Sequence, residues 1–182
     1  MSLGVIMIIL IGPSASGKTA VGRMLERKYN IKKVVTYTTR PPRIGEVEGL
    51  DYHFLSKQEF LTRKDKNFFF ETVNYNDNYY GTSLESLDDS HYIILDINGY
   101  NSYKKSDLKV VPYFLYTSKE TRRERMIKRL DNPICIEERL SIDDTKFDVK
   151  LLDENVTIID ANYASVEEIS DEIFKDYQSK LR

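Results

Sequence analysis

The sequence predicts an α/β protein, a parallel sheet flanked by helices with a smaller inserted subdomain. Three observations carry that expectation. Short, continuous apolar runs recur along the chain, as in strands buried on both faces of a parallel sheet. Segments with one apolar face at helical spacing alternate with them, the pattern of βα units. A long middle stretch follows neither period.

Val5 to Ile11 is the first apolar run and ends at Gly12. A helix is expected from Thr19 to Tyr29, because Val21, Met24, Leu25 and Tyr29 fall on one face. Lys33 to Val35 reads as a short second strand. Residues 36–90 are rich in Tyr, Phe, Asn, Thr and Gly and read as the insertion. Within them, Ser56 and Glu59 form a capping box for a short helix carrying Phe60 and Leu61. Tyr92 to Asp96 is a buried-type strand closing on a carboxylate. Val110 to Leu115 is another, and Pro112 places it at an edge or a strand start. Thr117 with Glu120 predicts a capped helix running through Leu130, broken by Asp131-Asn132-Pro133. A helix over Ile136 to Asp144 and a strand over Thr157 to Ile159 follow. Ser165 and Glu168 cap a last helix whose Ile169, Ile173, Tyr177 and Leu181 share a face.

At 182 residues the chain fits one domain, with a core over 1–35 and 91–182 and the insertion over 36–90. Hydrophobic residues make up 41%, enough for a core, and a net charge of -2 argues against nucleic acid as a partner. An anionic ligand must therefore be drawn by local basic clusters. The single cysteine, Cys135, excludes an internal disulfide or a cysteine metal cage. No apolar run reaches the ~20 residues of a membrane span, and the apolar start lacks the basic flank of a signal peptide. A cytoplasmic protein with no membrane association and no obligate protein partner is expected.

Gly12-Pro13-Ser14-Ala15-Ser16-Gly17-Lys18-Thr19 matches GxxxxGK(S/T), and it lies between a predicted strand and a predicted helix. Such a loop curls so that backbone N–H groups point at phosphate oxygens. The following helix adds its positive N-terminal end. Lys18 can reach the β- and γ-phosphates of a nucleotide, and Thr19 can place its hydroxyl on Mg²⁺. Asp96, at the end of an apolar strand, is the natural second metal-side group, acting through water. The expected architecture is thus a P-loop NTPase-type parallel sheet.

Two further clusters are basic. In Thr36-Tyr37-Thr38-Thr39-Arg40-Pro41-Pro42-Arg43, prolines stiffen a segment bearing two arginines, whose planar forks match phosphate oxygens. This reads as a second phosphate site, for an acceptor. Lys119, Arg122, Arg123, Arg125, Lys128 and Arg129 form a basic run, with Arg139 beyond it. Arg125 and Arg129 share a helix face and are placed to stabilise a migrating phosphoryl group. Lys119, Arg122 and Arg123 read as a solvated face.

Together these motifs resemble the guanylate kinase family over most of the chain. The matches are the phosphate loop, Thr38 to Arg43 with Gly45-Glu46-Val47, Asp51-Tyr52-His53-Phe54, Phe70-Glu71 and Asn78-Tyr79-Tyr80-Gly81-Thr82. The resemblance implies transfer of the γ-phosphate of ATP to GMP or dGMP, with Mg²⁺. It implies that Gly12 to Thr19 hold ATP, and that Arg40, Arg43, Tyr52 and Tyr80 hold the GMP phosphate. Glu71, Thr82 and Thr36 would form the guanine pocket, with Asn98 standing where the family carries a carboxylate. Lys18, Arg40, Arg125, Arg129 and Arg139 would be catalytic, the last three belonging to a short helical lid over about 125–139. Thr36 stands where serine is common, and the lid has Leu130 where a glycine is usual. Two alternatives belong beside this one. The first is a related kinase acting on another phosphorylated acceptor such as ribose 1,5-bisphosphate. The second is a non-catalytic binding module of the same fold.

Overall fold

The computed structural model describes residues 6–75, 77–83 and 90–181. Its first elements are β1 (Ile6–Ile11), α1 (Lys18–Tyr29), β2 (Lys32–Lys33), β3 (Tyr37–Thr38) and β4 (His53–Phe54). Then come α2 (Lys57–Asp65), β5 (Phe69–Tyr75), β6 (Asn78–Ser83), β7 (His91–Leu95) and α3 (Ile97–Lys104). The last are β8 (Lys109–Tyr116), α4 (Lys119–Lys128), α5 (Pro133–Lys146), β9 (Thr157–Asp160) and α6 (Val166–Lys180). Val5, where the first strand is expected to start, and residues 84–89 of the expected insertion lie outside the described residues.

Two sheets form. The main one has the order β2-β7-β1-β8-β9, with every pairing parallel. β1 is central, which explains its unbroken apolar sequence: it is covered on both faces. Strand periodicity splits it. Ile8 and Leu10 pack with Val21 and Leu25 of α1 and with Ile169, Ile173 and Tyr177 of α6. Met7, Ile9 and Ile11 pack on the opposite face with Tyr100 and Tyr103 of α3 and Phe114 of β8. Each such side chain taken out of water contributes roughly 1.5–3 kcal/mol. α1 approaches β7 closely at Gly22, where a Cβ would fall 2.3 Å from the Tyr92 ring. The second sheet, β4-β3-β6-β5, is mixed and lies wholly within residues 37–83.

The structure differs from the sequence expectations in several places. α3 was not expected: Asp96, read as a strand-end metal group, is also its N-cap and accepts the Gly99 N–H at 2.7 Å. The cap of α4 is Ser118, accepting from the Thr121 N–H, and not Thr117 with Glu120. Thr117 is buried instead, its hydroxyl directed at the Ser16 carbonyl. Asp131-Asn132-Pro133 does separate two helices as expected, but α4 already ends at Lys128, and Asn132 caps α5, which Pro133 opens three residues before the expected start. Pro112 is neither at an edge strand nor at a strand start. β8 lies between β1 and β9, but its pairing with β9 begins only at Tyr113, so a missing N–H is tolerated one residue earlier. Leu181 is an exposed C-cap and Leu61 is exposed.

Candidate active site

The phosphate loop follows β1 directly. At Gly12, φ is 150°, and a Cβ would lie 2.9 Å from both the Leu115 carbonyl oxygen and the Ser16 Oγ, so only glycine fits. Gly17 is the N-cap of α1. The half-buried Lys18 turns back on the loop, donating to the carbonyls of Gly12 (2.6 Å) and Pro13 (2.7 Å). Burial lowers its pKa to about 8. The Asp143 carboxylate opposes that fall, while Arg122, Arg129 and Arg43 reinforce it. Thr19 is exposed at the start of α1, and its hydroxyl has no partner among the described residues.

The second sheet and its loops carry the residues expected to bind the acceptor. Arg40 sits 5.4 Å from the Tyr52 ring centroid, and one guanidinium nitrogen donates to both Glu46 oxygens, at 2.8 and 2.9 Å. Burial works against its charge, but Glu46 outweighs burial and raises its pKa. Glu46 also accepts the Arg43 backbone N–H at 2.7 Å. Arg43 is held below the usual arginine range by partial desolvation, then by the charges of Arg40 and Arg139. The Tyr52 and Tyr80 rings meet edge-on with centroids 6.2 Å apart.

Glu71 of β5 and Thr82 of β6 are cross-strand partners in register. The Thr82 hydroxyl donates to Glu71 Oε1 at 2.8 Å, while Oε2 is buried with no partner. Desolvation pushes the Glu71 pKa up to about 7. The Thr82 hydrogen bond partly offsets this, and the neighbouring Asp96 charge adds to it. Asp96 thus sits within electrostatic reach of the carboxylate expected to read a base. Thr36 is buried beside them. Asn98 is exposed on α3 and does not line the cavity, whereas Asp96 and Gly99 do.

A single cavity joins the two sides. Its walls include Gly12, Ser14 and Lys18 from the phosphate loop, and Thr36, Tyr52, Glu71 and Tyr80 from the second sheet. The three expected lid arginines divide. Arg125 is held by backbone carbonyls, donating to Ala15 at 3.2 Å and Ala161 at 2.8 Å. Arg129 and Arg139 both pair with Asp131, Arg129 through two nitrogens at 2.9 and 2.6 Å and Arg139 at 3.0 Å.

The profile of the guanylate kinase family matches residues 5–171. The chain belongs to the guanylate kinase family. It is 36% identical over 132 residues to a guanylate kinase of Wolinella succinogenes, covering 68% of this chain and 61% of that protein. It is 35% identical over 151 residues to one from Campylobacter jejuni, covering 77% and 73%. Matches to the first relatives thus span about 61% of their length. The crystal structure of guanylate kinase from Anaplasma phagocytophilum superposes with a TM-score of 0.70 at 25% identity, covering 99% of this chain and 87% of that one. The P-loop NTPase-type fold, a parallel sheet flanked by helices, is shared with it.

Three acidic residues at this guanylate kinase-family site were given no role by sequence reasoning. Glu46 holds Arg40, Asp131 holds Arg129 and Arg139, and Asp143 holds the loop. The Gly45-Glu46 motif pointed at the first. Nothing in the sequence marks the other two, because an aspartate in a helix or turn ordinarily faces water. Arg122, expected on a solvated face, is buried and paired with Asp143 and Asp144 at 3.5 and 2.9 Å.

Proposed function

We propose that the protein transfers the γ-phosphate of ATP to GMP or dGMP, forming ADP and GDP. The observation that carries this is the single cavity with the phosphate loop at one end and Tyr52, Tyr80 and Glu71 at the other. ATP lies along Gly12 to Thr19, with Lys18 released from the loop carbonyls onto the β- and γ-phosphates. Arg40, Arg43, Tyr52 and Tyr80 hold the GMP phosphate. Glu71 accepts hydrogen bonds from guanine N1–H and the 2-amino group, with Thr82 and Thr36 completing that pocket. Adenine has a lone pair at N1, so it would face the carboxylate with no proton to give. With Asn98 exposed, Asp96 is the second carboxylate beside Glu71 in the cavity wall.

The reaction needs no strong base. A phosphate oxygen of GMP bonds to the γ-phosphorus as the bond to the β,γ-bridging oxygen breaks. Catalysis is positioning and charge neutralisation. Lys18, Arg40, Arg129 and Arg139 supply the positive groups, and Arg125 steadies the loop through Ala15. Residues 36–90 act as the acceptor-binding insertion and about 125–139 as the lid, whose closure excludes competing water. The oxygen donors Thr19 and Asp96 suit Mg²⁺, the former directly and the latter through water. Bound Mg²⁺ would neutralise charge on the ATP phosphates. No described helix is long and apolar enough to cross a membrane. The cytoplasm is the compartment we assign.

The test is ADP release with MgATP and a panel of GMP, dGMP, IMP, AMP, CMP, UMP and ribose 1,5-bisphosphate. Turnover confined to GMP and dGMP is expected. Turnover with ribose 1,5-bisphosphate, or with no acceptor, would refute the assignment of Glu71 and the arginines.

A further inference from the structure

Asp143 on α5 is 1% exposed, yet it lines the cavity that must accept anions. A buried negative charge there works against phosphate binding, so its presence needs a reason. One carboxylate oxygen accepts the Ser14 N–H at 2.7 Å, and the other accepts the Tyr75 hydroxyl at 3.1 Å. Arg122, from α4, flanks it at 3.5 Å. Its charge also supports the protonated form of Lys18. Ser14 belongs to the loop whose amides are curled to meet phosphate. An oxygen 2.7 Å from that N–H stands where a phosphate oxygen would stand.

We propose that Asp143 is a positioning residue of the donor site that substitutes for the terminal phosphate of the triphosphate in the empty chain. Its carboxylate holds the loop amide until ATP arrives. Two like charges cannot share that place, so the carboxylate must withdraw. Its connections transmit the withdrawal. Tyr75, which donates to it, ends the strand that carries Glu71. Donor binding therefore frees the acceptor hairpin from its tether to α5. This rests on the reading of the loop as an ATP site.

The experiment compares wild type, Asp143→Asn and Tyr75→Phe as full chains, by calorimetric titration with MgATP and MgADP and by thermal melting without ligand. Asp143→Asn should melt lower when empty, yet bind MgATP about tenfold tighter, the order expected for removing one like charge near a phosphate. MgADP should gain less. Tyr75→Phe keeps the charge but loosens its tether, and should tighten MgATP by about two- to threefold. A carboxylate that only pairs with Arg122 would lower stability without tightening ATP. Unchanged or weaker MgATP binding in Tyr75→Phe, or in a folded Asp143→Asn, overturns the proposal, as does an equal gain for MgADP. Failure of wild type to bind MgATP at all would overturn the donor-site reading as well.

Discussion

Replacing Glu71 with glutamine keeps the shape of the pocket and removes one titration. In the fold the Glu71 carboxyl is raised from an ordinary 4.5 to about 7, chiefly by desolvation. A raised carboxyl pKa means that the folded state prefers the neutral form. The associated stability is fully present below pH 4.5 and is lost as pH rises through about 7. At ~1.36 kcal/mol per tenfold change in proton affinity, the loss across that window is about 3 kcal/mol. The residue is only 9% exposed, so solvent screening takes little from this. Denaturant unfolding of both proteins between pH 4.5 and 8 measures it. Glu71→Gln should match wild type at the acid end and become the more stable of the two above pH 7. Parallel curves would show that Glu71 stays ionised in the fold and would refute the reasoning.

The same titration should govern acceptor binding. A guanine N1–H and amino group need the carboxylate, and the unpartnered Oε2 awaits them. With half-ionisation near pH 7, the ionised fraction rises about tenfold from pH 6 to pH 8. GMP affinity should rise by about the same factor. The GMP phosphate also titrates near pH 6, but it does so equally in Glu71→Gln. The excess slope of wild type over the variant isolates the carboxylate, and equal slopes would dismiss Glu71 as the base-reading group.

Lys18→Ala should cut turnover by roughly 10²–10³-fold, as when one preorganised donor is lost, with an unchanged circular dichroism spectrum; full activity would remove the phosphate loop from the mechanism. Arg40→Ala should raise the GMP KM by roughly 10–100-fold through loss of charge-assisted bonds, and calorimetry should find MgATP binding unaltered. Leu130 holds φ at 60° and is 91% exposed, so its backbone strain is offset by no packing. Leu130→Gly should stabilise by about 0.5–1 kcal/mol, the left-handed cost less the added chain entropy, read as a melting temperature higher by roughly 2–3 °C. Gly22→Ala ordinarily favours a helix, but here its Cβ meets the buried Tyr92 ring at 2.3 Å. It should destabilise by roughly 1–2 kcal/mol in urea unfolding.

The core was legible because its signals are local. Ile8 to Ile11 read as a doubly covered strand from their own sequence, and Ser165 with Glu168 capped the last helix as expected. The loop between β1 and α1 was legible because the glycines its turn requires stand in one motif. What escaped depends on partners distant in sequence. α3 was hidden because Asp96 looked like a strand terminus, and its helix carries two tyrosines and a glycine instead of strong helix formers. Arg122 looked solvated because its partners, Asp143 and Asp144, lie 21 and 22 residues away. Asn98 was expected in the pocket from motif position alone, but α3 turns it outward.

A net charge of -2 is at first sight awkward for a site proposed to gather two phosphorylated ligands. The pairings resolve this. Glu46 covers Arg40, Asp131 covers Arg129 and Arg139, and Asp143 faces the Ser14 amide beside Lys18. Three of these arginines, Arg40, Arg129 and Arg139, thus have an internal carboxylate as partner. Burial and the charges of Arg122, Arg129 and Arg43 lower Lys18 to about 8, and the Asp143 charge opposes that fall. The carboxylate pairings hold the guanidinium groups of Arg40, Arg129 and Arg139 oriented. On the proposed function, ligand phosphates would displace these carboxylates by exchange, because they carry more charge. Exchange also explains why these pairs are useful although each opposes binding. A carboxylate already holding Arg129 and Arg139 side by side spaces their guanidinium groups for the next anion. On the proposed function, affinity given up at the resting pair would be regained as preorganisation.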